Sequence, residues 1–198
     1  MAVVWGTWAD EVESEAARIA HGLRQRDISV LSGLIEQYQY RLVRYFVHLT
    51  GRRDIADDLV QDTWLRVLER GSQYDGHSRF EPWLFAVARN LAIDSLRKPL
   101  PISLNSDENG RDQGNDWPSA DASPFEQAAR NEDAKRLAVC LGSLDPLYRE
   151  VLVLRFQEDL SLSEIADVVR APVSTVSSRI YRALATLRAH FGEEINAD

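Results

Sequence analysis

The sequence has few of the features that stabilise secreted proteins or anchor proteins in membranes. It contains one cysteine, Cys140, so no intramolecular disulfide can form, and this usage suits a reducing cytoplasm. No apolar stretch approaches the roughly 18 residues that a membrane span needs. The first residues lack the basic segment and the apolar run of a signal peptide. We therefore expect a cytoplasmic protein without membrane insertion.

The sequence motifs of common enzymes are also missing. There is no Walker-type phosphate loop, no HExxH and no GxSxG, and the four histidines are scattered along the chain. Single histidines are more often structural or surface residues than ligands. We therefore expect no catalytic site, no metal site and no cofactor, and we expect that the protein is not an enzyme.

The balance of charge restricts the kind of nucleic-acid binding that is possible. The formal net charge is −8, which argues against a protein whose whole surface contacts DNA. Local basic faces are still possible, so charge has to be considered segment by segment. The length of 198 residues fits one ordinary domain or two small ones, and 44% hydrophobic residues suffice for a core.

The pattern of apolar residues predicts an all-α protein with two small helical domains. Residues 1–27 form an N-terminal extension with helical spacing, and residues 28–98 form the first domain. Residues 99–130 are rich in Asn, Asp, Gly and Ser and predict a flexible acidic linker. Residues 131–192 form the second domain.

The first domain is predicted to contain three helices. The first carries apolar residues at steps of three and four over Leu31–Phe46 and ends at Gly51. The second begins near Asp54 and ends near Arg70. The third begins at Glu81, with proline in its first turn, and ends before Pro99.

The second domain carries the pattern of a helix-turn-helix. Asp145 and Pro146 begin one helix as cap and first-turn proline, and Ser161–Glu164 fits a capping box that begins another. Arg170–Pro172 makes the turn to a last helix. The first of these two final helices has one apolar face, and the last helix has a predicted buried side. The apolar face is Leu162, Ile165, Ala166 and Val169, and the buried side is Val173, Val176, Ile180, Ala183 and Leu187.

The opposite face of the last helix has the composition of a DNA-recognition face. It carries Ser174, Ser177, Ser178, Arg179, Tyr181 and Arg182. Short side chains let a helix enter the major groove, where hydroxyls and arginines can contact base edges and phosphates. The alternative is an ordinary surface helix rich in serine and arginine.

Acidic residues follow one face of the second predicted helix. They are Asp54, Asp57, Asp58 and Asp62, with Gln61 beside them. Like charges four residues apart repel by a few tenths of a kcal/mol per pair. This face could be a solvated acidic surface, a metal site or a docking surface for a basic protein partner.

Aromatic and basic residues alternate around the third predicted helix. Tyr74 lies in a glycine-containing loop, Arg79 follows it, and Arg89 and Asn90 lie within the helix. Bases can stack on aromatic rings for about 1–3 kcal/mol each, while cations follow the phosphates. Residues such as Trp83 and Leu84 lie at core spacing and are better explained by packing.

Three parts of the chain resemble those of extracytoplasmic-function sigma factors of the sigma-70 family. The stretches Ser161–Val169 and Pro172–Ala183 resemble the domain that reads the −35 promoter element. Tyr74–Arg97 resembles the element that melts the −10 region and captures a flipped base. Asp54–Trp64 resembles the segment that binds the clamp coiled coil of the largest RNA polymerase subunit.

This resemblance implies an alternative sigma factor that binds core RNA polymerase, recognises promoter DNA and helps to open the duplex. Its usual inhibitor would be an anti-sigma factor. The implied polymerase-binding residues are Asp54, Asp57, Asp58, Gln61 and Asp62. The implied −10 residues are Tyr74, Arg79, Arg89 and Asn90, and the implied −35 residues are Ser174, Ser177, Ser178, Arg179, Tyr181 and Arg182.

A dimeric helix-turn-helix repressor or activator is the alternative of another class. It would need an effector pocket or a dimer seam, and the sequence shows no obvious example.

The sigma factor family often has basic residues at the positions of Ser177 and Leu184. We therefore expect the second domain to bind DNA weakly unless polymerase presents it to a promoter.

Overall fold

The computed structural model describes the backbone of residues 4–97 and 136–195 and the side chains of residues 15–97 and 136–189. Every regular element in these ranges is helical, which confirms the predicted all-α class. None of the helices in the described part is long and apolar enough to cross a membrane. The predicted linker, residues 99–130, lies outside the described residues.

Eight helices are described and numbered here in chain order. They are α1 (Val4–Gln25), α2 (Ile28–Thr50), α3 (Ala56–Arg70), α4 (Phe80–Arg97), α5 (136–143), α6 (Pro146–Leu152), α7 (Leu162–Val169) and α8 (Val173–Ile195). A short 3-10 turn, Gly71–Gln73, follows α3, and a π-helical turn, Val153–Gln157, continues α6.

Local capping explains where several of these helices begin and end. Gly51 adopts a left-handed conformation (φ 69°), and its N–H donates to the carbonyl of Val47 at the end of α2. The Asp145 carboxylate accepts a hydrogen bond from the N–H of Leu147 at 2.8 Å, with Pro146 in the first turn of α6. These observations confirm the predicted end at Gly51 and the predicted start at Asp145.

Two predicted helix starts are displaced. Helix α3 begins at Ala56, and Asp54 lies in the preceding turn, where its carboxylate binds the Arg52 guanidinium at 2.6 Å. Asp54 therefore does not continue the helical row of acidic residues, because its local ion pair belongs to the turn. Helix α4 begins at Phe80, one residue before the predicted Glu81.

The apolar faces of α1–α4 form the core of the first half. Val60, Trp64 and Val67 of α3 are buried, as their spacing predicts. Helix α1 contributes Ala16, Ile19, Ala20 and Leu23 to the same core and packs on α2 and on the 3-10 turn. The N-terminal extension is thus part of the folded first half over its described side chains.

The two halves of the chain pack directly on each other. Helix α4 contacts α7, and α2 contacts α6. One apolar cluster contains both Leu42 and Leu84 from the first half and Leu154 and Ile165 from the second. A smaller cluster within the second half joins α5, α6 and α8 around Cys140 and Ala183. In this closed arrangement, the shared core sets how the two candidate DNA-binding surfaces lie relative to each other.

Candidate nucleic-acid interface

Helices α7 and α8 and the turn between them form the predicted helix-turn-helix. The capping box is present: the Ser161 N–H donates to the Glu164 carboxylate at 2.7 Å, and the Glu164 N–H donates to the Ser161 hydroxyl at 3.3 Å. Arg170 ends α7 in a left-handed conformation (φ 51°), and its N–H donates to the Ala166 carbonyl. Satisfied amides at both ends give a helix of eight residues a defined orientation.

Helix α8 packs by one face and exposes the other. Val176, Ala183 and Leu187 are buried, as predicted, whereas Val173 is 45% exposed. The prediction of a buried Val173 is wrong, because this residue begins the helix at the edge of the turn. Four of the six predicted recognition residues are polar and exposed, a fifth, Tyr181, is also exposed, and Arg179 is half-buried.

The exposed face of α8 borders a cleft of about 440 Å³ next to the start of α6. Its lining residues are Asp145, Leu147, Tyr148, Ser174, Thr175, Ser178, Arg179 and Arg182. The two arginines and the hydroxyls supply donors for phosphate and base-edge contacts. Two of the six predicted −35 residues, Ser177 and Tyr181, lie outside this lining and are exposed on the surface of α8.

The predicted polymerase-binding residues all lie on the surface. Asp57, Asp58, Gln61 and Asp62 are exposed on α3, and Asp54 is exposed in the turn before it. The exposed apolar side chains Leu65 and Leu68 continue the surface towards the end of the helix. No group of three or more potential metal ligands occurs among the described side chains, so the carboxylates of α3 do not form a metal cluster there.

The side chain of Tyr74 is buried, with 2% of its surface exposed. Its ring makes an edge contact with Phe80 at a centroid distance of 5.4 Å, and its hydroxyl donates to the Ser78 carbonyl. Burial, with Glu81 nearby, raises the pKa of Tyr74 to about 12, so it is a donor at neutral pH. Its contact with a flipped base stays a prediction and would require the ring to move.

Helix α1 covers the loop that carries Tyr74. Gly76 has a φ of 79°, and a Cβ there would lie 2.8 Å from the Ala20 Cβ and 3.0 Å from the Ala16 carbonyl oxygen. The Arg24 guanidinium donates to the Asp75 carbonyl at 3.2 Å. The loop is therefore held against α1 at a distance that only glycine permits.

The basic −10 candidates contact the second half of the chain. The Arg89 Nε donates to the Glu150 carboxylate at 2.7 Å, and Arg89 is only 12% exposed. Arg79 lies 3.4 Å from the Glu81 carboxylate and donates to the Asp159 carbonyl at 3.2 Å. Asn90, next to Arg89, is half-buried. The sequence predicts contact with DNA for these residues, and it carries no signal for their partners within the chain.

Two buried carboxylates were not identified from the sequence. Glu150 and Glu158 are 2% and 1% exposed. Glu150 accepts hydrogen bonds from Arg89 and from the Tyr45 hydroxyl at 3.0 Å, and burial raises the pKa of Tyr45 well above its usual value. Glu158 accepts from the Arg41 Nε at 2.7 Å. A charged residue within an apolar helical stretch signals a buried ion pair, but helical spacing does not identify its partner.

Comparison with known proteins identifies the family. The family model described as Sigma-70 region 2 matches residues 34–99, and the model described as Sigma-70, region 4 matches residues 134–187. Together they cover both helical halves in the expected order.

Individual relatives extend this similarity over most of the chain. The ECF RNA polymerase sigma factor SigW of Bacillus subtilis (strain 168) is 27% identical over 170 residues, covering 84% of this chain and 91% of SigW. SigM of the same organism is 29% identical over 163 residues, covering 82% of this chain and 96% of SigM. CnrH, solved in complex with the cytosolic domain of CnrY, is 28% identical with a TM-score of 0.61, covering 94% of this chain and 98% of that one. The chain belongs to the extracytoplasmic-function sigma factors of the sigma-70 family.

Proposed function

We propose that this sigma factor contacts its three targets through three separate surfaces. The acidic surface of α3 binds core RNA polymerase, α4 with the preceding loop engages the −10 element, and the exposed face of α8 reads the −35 element. The observation that carries the proposal is the capped helix-turn-helix, with its hydroxyl and arginine side chains directed outward from α8.

The arrangement on α3 fits docking to a basic protein surface. Its carboxylates are exposed and the adjacent Leu65 and Leu68 are exposed as well. A charged surface beside apolar side chains combines electrostatic steering with apolar burial in a complex. The buried face of the same helix holds it rigidly on the core, so the acidic surface is preorganised.

Reconstituted transcription tests the proposal with one variant per surface. Asp58→Arg should weaken binding to core polymerase by at least about tenfold, because it places a like charge in a docking surface. Arg182→Ala should lower transcription from a cognate promoter by about tenfold, because a base contact of this kind contributes about 1–3 kcal/mol. It should leave core binding unchanged.

Matched controls distinguish these effects from changes in overall charge. Glu36→Arg on α2 reverses a charge at an exposed position, and Arg188→Ala removes an exposed arginine six residues beyond Arg182 along α8. Both controls should behave like the wild type. Absence of binding between the wild-type chain and core polymerase would refute the proposal.

We also propose that the protein acts in the cytoplasm, that it catalyses no covalent reaction and that an anti-sigma protein holds it inactive. The similar chain of CnrH was solved in complex with a second protein, the cytosolic domain of CnrY. Co-purification from the native cell, followed by identification of bound proteins, tests this part. Recovery of polymerase subunits without a further stoichiometric partner would argue against an anti-sigma protein.

A further inference from the structure

Four arginines of the first half form one surface under the second half, here called the arginine face: Arg41, Arg44, Arg79 and Arg89. Arg41 and Arg44 lie 2.7 and 3.5 Å from the Glu158 carboxylate. Arg89 binds the carboxylate of Glu150 at 2.7 Å. Arg79 donates to the Asp159 carbonyl, and its guanidinium lies 3.9 Å from the Glu164 carboxylate.

Three members of the arginine face share carboxylates, and Arg89 binds a separate one, Glu150. Arg41 and Arg44 share Glu158, while Arg41 and Arg79 both lie within 4.0 Å of the Glu81 carboxylate. The Arg41 guanidinium also lies 4.7 Å from the centre of the Tyr38 ring. Groups of the first half, Glu81 and Tyr38, thus help to hold Arg41 and Arg79 in place, whereas the carboxylate that binds Arg89 belongs to the second half.

Joining two domains through buried carboxylates costs desolvation free energy. Glu150 and Glu158 are the buried charged residues of the described part of the chain. Desolvating an ion pair can cost as much as its attraction returns, so apolar residues of similar volume would often hold the halves together as well. Buried ion pairs are better suited to an interface that must exchange one partner for another.

Guanidinium groups bind carboxylates and phosphates by the same charge-assisted hydrogen bonds. Two members of the arginine face, Arg79 and Arg89, are candidates for contact with the −10 element, and Asn90 is adjacent. A DNA strand that reaches these two arginines therefore meets guanidiniums that already contact the second half. Arg89 contacts Glu150, and Arg79 contacts Asp159 and Glu164.

We propose that the arginine face binds the phosphates of single-stranded promoter DNA and that Glu150 and Glu158 occupy it until the second half moves away. This inference rests on the proposed function and adds Arg41 and Arg44 as phosphate contacts. The second half and DNA compete for the same guanidiniums. Free protein is then closed, and the closed form binds a single strand weakly.

Binding of a labelled single strand of about 16 nucleotides to the full chain tests the competition. The variant Glu150→Gln with Glu158→Gln keeps side-chain shape and removes both charges. This variant should have a larger radius of gyration in small-angle X-ray scattering than the wild type. It should also bind DNA about tenfold more tightly, because an open form that is about a tenth of the wild-type population weakens the apparent affinity by that factor. The control Glu36→Gln with Glu69→Gln makes the same change in net charge at exposed positions and should do neither.

A second pair of substitutions tests the role of Arg41 and Arg44. In the opened variant, Arg41→Gln with Arg44→Gln should reverse the gain in affinity. It should also reduce the slope of log K against log salt by about 1.4, since each phosphate contact on a single strand contributes about 0.7. An unchanged salt slope would overturn the assignment of these two arginines to DNA.

The wild-type chain gives a test without any substitution. Saturation with the same single strand should increase its radius of gyration, and DNA bound to a chain of unchanged size would overturn the competition. An opened variant that binds DNA no better than the wild type would overturn it as well. Transcription with core polymerase is measured separately, so normal core-dependent transcription together with either of these results would refute this inference and leave the proposed function intact.

Discussion

At the scale of single residues, helical spacing predicts which side chains are buried within a helix but not which are buried in a loop. Trp64 and Val67 lie at core spacing on α3, and both are buried, so their role follows from the sequence. Tyr74 lies in a loop with no periodicity, and its burial depends on Phe80, Trp83 and the approach of α1. A contact made by residues that are distant in sequence leaves no trace in local spacing, and this is why the sequence could not predict it.

His48 gives a pH dependence at the same scale. Burial, together with the nearby cations Arg149 and Arg44, lowers the pKa of His48 below its usual value. The unfolded chain, with a histidine pKa of about 6.5, therefore binds more protons than the folded chain near that pH. The contribution of His48 to stability is present above about pH 6.5 and is lost as the pH falls through it.

We expect the His48→Gln variant to lose less free energy of unfolding than the wild type between about pH 7.5 and pH 5.5. Glutamine stays neutral over this range, so the difference between the two proteins isolates the histidine from the carboxylates that titrate nearby. Urea unfolding at several pH values measures it. Parallel stability curves for the two proteins would contradict the expectation.

At the scale of elements, helix ends were predictable wherever a cap is local. Gly51, Asp145 and the Ser161–Glu164 capping box act through neighbours within a few residues, and the structure has them where the sequence places them. The start of α3 was misplaced because Asp54 bonds to Arg52 in the turn. A carboxylate can satisfy either a helix amide or a nearby guanidinium, and helical spacing does not decide between them.

The docking of α1 on the Tyr74 loop gives a prediction for Gly76→Ala. A left-handed backbone costs a residue with a side chain roughly 1–2 kcal/mol. At Gly76 the new Cβ would also lie 2.8 Å from Ala20 and 3.0 Å from backbone oxygen, so α1 and the loop must separate. We expect a loss in free energy of unfolding clearly larger than the backbone cost alone.

Gly51→Ala is the matched control for this substitution. Gly51 also has a positive φ (69°), but a Cβ there meets no atom within 4 Å. It should lose only the backbone cost, as measured by urea unfolding. Equal losses at the two positions would show that α1 does not pack on the loop as described.

At the scale of the whole molecule, the sequence predicts two helical halves but not the packing of one half on the other. Each half follows from its own periodicity, and each matches its own family model. The contacts that join them pair residues about 60 to 120 positions apart, such as Arg89 with Glu150 and Arg41 with Glu158. No local pattern specifies which arginine meets which glutamate, so the closed arrangement emerges only from the three-dimensional packing.

The shared core predicts that the two halves unfold together. Small single domains usually unfold in one cooperative transition, and a continuous core extends that behaviour across both halves. The five tryptophans all lie at or before residue 117, whereas helices α5–α8 contribute only to far-UV circular dichroism. Urea curves recorded by tryptophan fluorescence and by circular dichroism should therefore coincide for the wild-type chain.

The same two signals should separate when the interface between the halves is weakened. In Glu150→Gln with Glu158→Gln, the second half loses the ion pairs that hold it on the arginine face. Circular dichroism should then show an additional transition that fluorescence does not follow, while Glu36→Gln with Glu69→Gln should keep coincident curves. A core that both halves share cannot be lost by one half without destabilising the other. Separate curves in the wild type would therefore contradict a shared core and would mean that the halves are energetically independent.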